Sequence, residues 1–172
     1  MMKKIMIFAT AMMISLTAFS QDKKIKIGAF GAVPMGDTKD VSKTGFGIDA
    51  TYLFEVSDKF DLGFSTGFSF FAGKKVKVLN NDNSVSTFKY NSAKYIPITG
   101  AVRFNATDKL YIGTDIGYAI GIGDDVKGGL HYKPRIGYQI TDLIGINMSY
   151  TGLKVKGGTW KTLNLGAEFS LK

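Results

Sequence analysis

Cysteine is absent from the 172 residues. That excludes a disulfide framework, and it excludes the acylated cysteine that anchors a lipoprotein. Proline occurs three times, arginine twice (Arg103 and Arg135) and histidine once (His131). With so few soft ligands there is no zinc spacing. Gly121-Ile122-Gly123 lacks the Lys-Ser/Thr pair of a phosphate loop, so no metal and no cofactor is expected. Beyond residue 19 no stretch is apolar and long enough for a transmembrane helix.

What is present first is an export signal. Lys3 and Lys4 form a basic patch, Ile5 to Phe19 is almost unbroken apolar chain, and Ala18-Phe19-Ser20 places small residues where a signal peptidase reads. We expect cleavage before Gln21, which makes residues 1–20 a signal peptide for Sec-dependent export and 21–172 the mature domain. An uncleaved anchor would need a run closer to ~20 residues. The chain carries +8, or +6 once Lys3 and Lys4 are removed. An exported basic chain rarely meets nucleic acid, so an anionic membrane surface is the expected partner.

The mature part is rich in glycine and aromatics, a β composition. Apolar residues recur at every second position, the period of a strand with two unlike faces. Lys59 to Phe71 sets Phe60, Leu62, Phe64, Phe68 and Phe70 against Asp61, Gly63, Ser65, Gly67 and Ser69. Leu110 to Ile122 sets Leu110, Ile112, Ile116, Tyr118 and Ile120 against Gly113, Asp115, Gly117 and Ala119. The same rhythm predicts strands over Gly45–Val56, Tyr95–Asn105, Gly129–Ile140, Leu143–Leu153 and Trp160–Leu171. Lys24–Val33 is the least regular, with Phe30 on its otherwise polar side. The total is eight.

The connections alternate in length. Ser57-Asp58-Lys59, Thr107-Asp108-Lys109 and Thr141-Asp142-Leu143 are tight, with hairpin turn chemistry. Pro34–Thr44, Gly73–Lys94, Gly123–Gly128 and Lys154–Thr159 are longer and polar. Asn80–Ser84 is turn-rich, and Lys75–Leu79 alternates in its own right, so the third and fourth strands are expected to continue past the membrane as a hairpin. Short turns at one end and long loops at the other is the layout of outer-membrane barrels, whose short turns are periplasmic.

Alternation alone leaves two arrangements open, a soluble lipocalin-like barrel and a membrane barrel turned inside out. Side-chain volume separates them. The interior of an eight-stranded barrel is only just wide enough for side chains to fill. Glycines, small hydroxyls and the few charges therefore belong inside, and Phe, Leu, Ile and Tyr belong against lipid. Phe54, Phe60, Phe104, Tyr138 and Phe169 fall near the turn ends of their strands, and Phe46, Phe70, Tyr118, Tyr132 and Tyr150 nearer the loop ends. The ten residues from Phe60 to Phe70 cover ~25 Å at ~3.3 Å rise and ~40° tilt, the height between aromatic girdles.

These features together resemble the small outer-membrane β-barrel family, whose familiar members are the OmpA transmembrane domain and OmpX. The resemblance covers Gln21 to Lys172 and is architectural. It implies an all-β, eight-stranded antiparallel up-and-down transmembrane β-barrel in the outer membrane. It also implies periplasmic chaperones and the barrel-assembly machinery as partners during biogenesis, and a monomer afterwards. The family's last strand usually ends on an aromatic residue; here Phe169 is followed by Ser170-Leu171-Lys172. No peptidoglycan-binding domain is expected after the barrel, as in the OmpX layout.

Arg103 and Arg135 share the small, polar face with Asp49, Glu55, Asp61, Asp115, Lys133 and Glu168, and Lys26 joins them. Charges in so narrow a space must be paired and hydrogen-bonded. An ion-pair network filling the lumen is the expected use, and a charged ion path is the alternative. His131, with inward Ser69, is the formal candidate for a lipid A-modifying enzyme, the most remote of the readings; no catalytic residue is assigned. At the loop end Lys43, Lys74, Lys75, Lys127, Lys154 and Lys156 outnumber the acids, a rim suited to the phosphates of lipopolysaccharide. The expected function is a structural or surface-interaction barrel acting through its loops, with a narrow porin-like channel as the alternative.

Overall fold

The computed structural model describes residues 23–79, 85–123 and 126–171. The expected signal segment and the Asn80–Ser84 turn lie outside the described residues. The strands in chain order are β1 (Lys23–Pro34), β2 (Ser42–Ser57), β3 (Phe60–Gly73), β4 (Lys75–Leu79), β5 (Val85–Lys89), β6 (Ala93–Asn105), β7 (Leu110–Gly121), β8 (Gly129–Gln139), β9 (Ile144–Val155) and β10 (Gly158–Leu171). Eight of them close into an antiparallel barrel in the order β1-β10-β9-β8-β7-β6-β3-β2, while β4 and β5 form a separate hairpin above it. The seam joins first strand to last, with Ile25 opposite Leu171 and Val33 opposite Leu163.

Local chemistry fixes the turns. Thr107 Oγ1 accepts the N–H groups of Lys109 (3.2 Å) and Leu110 (2.9 Å), and Thr141 Oγ1 those of Leu143 (3.3 Å) and Ile144 (3.0 Å). A threonine hydroxyl thus supplies the acceptor that a tight turn leaves wanting. The third turn closes differently, with Ser57 pairing Phe60 across a bulge at Glu55–Ser57. At the opposite end the loop after β1 winds one turn of helix, α1 (Thr38–Val41), which the alternation did not foretell. The buried Thr38 hydroxyl accepts the Lys161 N–H at 2.9 Å, tying this loop to β10.

Two prolines interrupt the ladder without shifting its register. Opposite Pro97 the β3–β6 pairing skips from Thr66↔Ile98 to Ser69↔Tyr95, and beside Pro134 the β8–β9 pairing skips from Tyr132↔Gly152 to Arg135↔Ser149. Proline has no N–H to give a neighbouring strand. Thr66 partly compensates, its hydroxyl donating to the Pro97 carbonyl at 2.9 Å.

The distribution of side chains is the reverse of a soluble protein's. Leu165 is 68% exposed, Phe64 62% and Ile48 58%, whereas Arg103 and Asp115 are 2% exposed. A surface apolar on every strand is stable only against hydrocarbon. Phe60 stacks on Phe104 at the turn end (centroids 5.1 Å apart), with Phe46–Phe70 (5.4 Å) and Tyr132–Tyr150 (6.3 Å) at the loop end. These outward pairs stand where girdles belong.

The expectation of a lumen lined only by small and charged residues needs correction. Phe30, Leu53, Phe71, Tyr95, Tyr111 and Trp160 also turn inward. At the loop end Phe71, Tyr95 and Leu153 pack with Ala32, Ala93 and Ala119 into an apolar cluster, against which Phe30, Val126, Val155 and Trp160 lean. Small neighbours make room for the large ones. A Cβ at Gly47 would lie 2.9 Å from Phe30 Cε1, and one at Gly166 2.9 Å from Phe30 Cβ.

Candidate functional site

The lumen holds the charged residues in three tiers. In the middle, Asp115 on β7 receives Arg135 of β8 through Oδ2. Arg103 Nη2 of β6 stands 2.6 Å from Asp115 Oδ1 as an ion pair. Gly113 sits in register between the two arginines; a Cβ there would lie 3.0 Å from Arg103 Nη1, so glycine leaves room for the guanidinium. That group also donates to the carbonyls of Val102 (2.9 Å) and Thr114 (3.2 Å). Arg135 reaches on to Asp49 of β2 (3.4 Å), which accepts Lys133 Nζ of β8 at 2.7 Å. Strands β8 and β2 are four places apart in a ring of eight, so this last pair crosses the full width of the barrel.

Nearer the turns, Glu168 accepts Lys26 Nζ (2.6 Å), Tyr111 Oη (2.6 Å) and Asn147 Nδ2 (3.2 Å). The Lys26 ammonium stands 4.5 Å from the Tyr111 ring centroid, and that of Lys133 stands 4.1 Å from Phe30's. Two of the inward aromatics, Tyr111 and Phe30, are therefore partners of cations in the lumen. For Tyr111 the missed signal was the glycine facing it: Gly137 has the Tyr111 ring where its side chain would be.

At the turn-end mouth Lys24 lies between Glu55 (3.3 Å) and Asp61 (3.4 Å), and Asn105 donates to Asp61 at 3.1 Å. Glu55 is about one-third exposed, so this tier borders water. A funnel of about 350 Å³ opens here, walled by Lys24, Asp61, Lys109 and Gln139 and ending at Tyr111. The contacts fall into a middle tier on Asp115 and Asp49, a second on Glu168, and a looser set on Lys24 at the mouth.

Above the middle tier the chemistry turns neutral. Thr51 and Ser65 share a 2.9 Å hydrogen bond, and Asn164 donates to Thr151 Oγ1 at 2.8 Å and to Ser149 at 3.2 Å. Two hollows of about 20 Å³ flank His131, each room for one water. Ser69 lines both, yet no hydrogen bond joins it to His131, whose Nδ1 has no partner. The aromatic cluster then covers this end. Among the described residues no group of three or more His, Asp or Glu could hold a metal.

Lys43, Lys74, Lys75, Lys127, Lys154 and Lys156 are all exposed at the loop end. Lys154 faces outward from β9, opposite Leu130. Every carboxylate–cation contact within 4 Å among the described residues lies in the lumen or at its mouth, and none involves these lysines.

A closed antiparallel barrel, apolar outside and charged within, defines a transmembrane β-barrel protein. The chain belongs to the family described as outer membrane protein beta-barrel domain, whose profile matches residues 6–172. Its place is the outer membrane. No curated protein matches the sequence. Among solved structures it is similar to Ail, the attachment invasion locus protein of Yersinia pestis, at 17% identity and TM-score 0.59, over 88% of this chain and 99% of that one. It is similar also to the N-terminal β-barrel domain of Pseudomonas aeruginosa OprF, at 16% identity and TM-score 0.51, over 86% and 97%. A de novo designed transmembrane β-barrel aligns at 9% identity and TM-score 0.52, over 86% and 95%. At such identities the likeness is one of fold.

Proposed function

We propose that this is a non-conducting barrel with a structural or surface-interaction role, acting through its loop end and made as a Sec-exported precursor cleaved after Ser20. The observation that carries the reading is the Lys133–Asp49 contact across the lumen, with the aromatic cluster above it. An ion entering the turn-end funnel would have to displace Tyr111 and Glu168 and then part a buried ion pair. Breaking such a pair leaves an uncompensated charge in a low dielectric. Lysines at the rim meet lipopolysaccharide phosphates, Lys154 from the wall and Lys43, Lys74, Lys75, Lys127 and Lys156 from the loops. Chaperones and the barrel-assembly machinery handle the unfolded chain beforehand.

Planar-bilayer recording tests the closed lumen. Purified protein is expected to be silent under applied voltage. Single-channel steps of regular size, lost on Arg103→Ala or Asp115→Asn, would establish the channel reading instead. Lipid A profiles of cells making wild type and His131→Ala are expected to be identical; a modification lost with His131 would point to catalysis.

A further inference from the structure

The charges of the lumen do not balance tier by tier. In the middle tier Arg103, Lys133 and Arg135 face Asp49 and Asp115, three cations against two carboxylates. Among the described residues no other carboxylate lies within 4 Å of any of the three. The Lys26–Glu168 tier below is neutral. The matching excess of one carboxylate lies at the mouth, where Lys24 sits between Glu55 and Asp61. One positive charge deep in the barrel therefore has no partner beside it, and Nε of Arg103 and Nε of Arg135 have no hydrogen-bond acceptor. A buried charge left uncompensated is strongly destabilising.

Just above this tier lies a hollow of about 20 Å³, covered by the aromatic cluster. Trp160, His131, Ser69 and Thr151 line it, and no carboxylate does. Trp160 Nε1 and His131 Nδ1 are buried without a hydrogen-bond partner, and His131 as a whole is only 7% exposed. An indole N–H can only donate, and an imidazole Nδ1–H or a hydroxyl can do the same. Thr151 accepts from Asn164 at 2.8 Å and keeps its own O–H to give. Phe30 and His131 are walls both of this hollow and of the neighbouring one that reaches Lys133 and Arg135. The Lys133 ammonium stands over the Phe30 ring, 4.1 Å from its centroid. A space walled by donors thus adjoins a tier with one cation too many.

We propose that this hollow binds one monatomic anion, a halide such as chloride, held by Trp160 Nε1–H, His131 Nδ1–H and the hydroxyls of Ser69 and Thr151. The ion counters the excess charge of the middle tier and supplies the acceptor that the orphaned indole lacks. The space admits a single atom and excludes sulfate, phosphate and organic carboxylates by size. The halide is a structural ligand, enclosed as the ring closes, and it is independent of any role of the loop end.

The test unfolds full-length protein with urea in phosphatidylcholine vesicles, read by the unboiled gel band, while potassium chloride replaces potassium gluconate at constant ionic strength. The ratio of folded to unfolded protein is expected to rise in proportion to chloride once the site fills, with bromide acting alike. Trp160→Phe keeps an aromatic ring but removes the indole donor. Its apparent affinity for chloride should fall roughly tenfold or more, the worth of one hydrogen bond to a charged group. Lys59→Gln removes an exposed turn-end charge and should leave the chloride dependence as it is. Crystals grown in bromide should show an anomalous peak between Trp160, His131 and Ser69, which decides the matter if Trp160→Phe does not fold. No chloride dependence would mean that water fills the hollow, and an unaltered response in Trp160→Phe would mean a general salt effect; either overturns the site. A bromide peak without linked stability would mean an adventitious ion only and overturn it too. Bilayer recordings are expected to be silent with or without the ion, so each of these failures leaves the closed-lumen reading standing.

Discussion

Lys133 and Asp49 face each other from opposite walls of the barrel, Nζ 2.7 Å from Oδ2, and among the described residues no other ion pair reaches as far around the ring except the longer Arg135–Asp49 contact. Both side chains are nearly excluded from solvent. Removing one partner leaves the other buried and uncompensated. Asp49→Asn or Lys133→Met should each destabilise the barrel by about 3–5 kcal/mol, with the double replacement recovering much of it. Urea unfolding in phospholipid vesicles, followed through Trp160 fluorescence, measures this. Additive losses would mean that the two groups do not interact.

The lipid-facing side makes a prediction that depends on depth. Phe64 stands midway between the girdle phenylalanines Phe60 and Phe70, and Phe169 near the turn end. Phe64→Arg should cost about 2–4 kcal/mol and Phe169→Arg at most about 1 kcal/mol. Equal costs in the same unfolding assay would contradict the assigned bilayer position.

Tyr111 and Gly137 form one unit. Tyr111→Phe removes a hydrogen bond to a charged carboxylate, worth about 1.5–3 kcal/mol. Gly137→Ala places a methyl where the ring lies and should push Tyr111 off Glu168. The double variant is expected to lose less than the sum of the two, because both changes break the same contact. Strict additivity would show that the ring moves without disturbing Glu168.

Closure has a simple signature. The folded barrel should migrate ahead of the boiled chain on a denaturing gel, and Trp160, wedged beside Phe71 with ring centroids 5.4 Å apart, should resist quenching by acrylamide until the sample is boiled. One gel position for both samples would argue against a closed ring.

Much of this architecture was legible because a strand between lipid and a narrow core has two faces of unlike volume. Phe60 to Phe70 announces both the face and the height. Tyr111 shows where such reading stops: it lies in phase with the inward positions, but nothing in a period of two says that a large ring fits there. Room for it comes from Gly137 on the neighbouring strand. The charged residues were legible as inward-facing, whereas their partners were not. Asp49 and Lys133 are far apart in sequence and sit on opposite walls, and alternation carries no information about which side chains meet across a diameter. The α1 turn stayed hidden for a different reason, since one helical turn held by Thr38 leaves no periodic trace.

A contact that spans a diameter has a consequence for how the molecule is made. An open sheet, like a cask with a stave missing, has no hoop to bring Lys133 to Asp49, and both would then face hydrocarbon bare. Hydrocarbon solvates neither. Closure is thus what gives this pair of charges its partner: the staves must be hooped before either ion can sit in the membrane's core compensated.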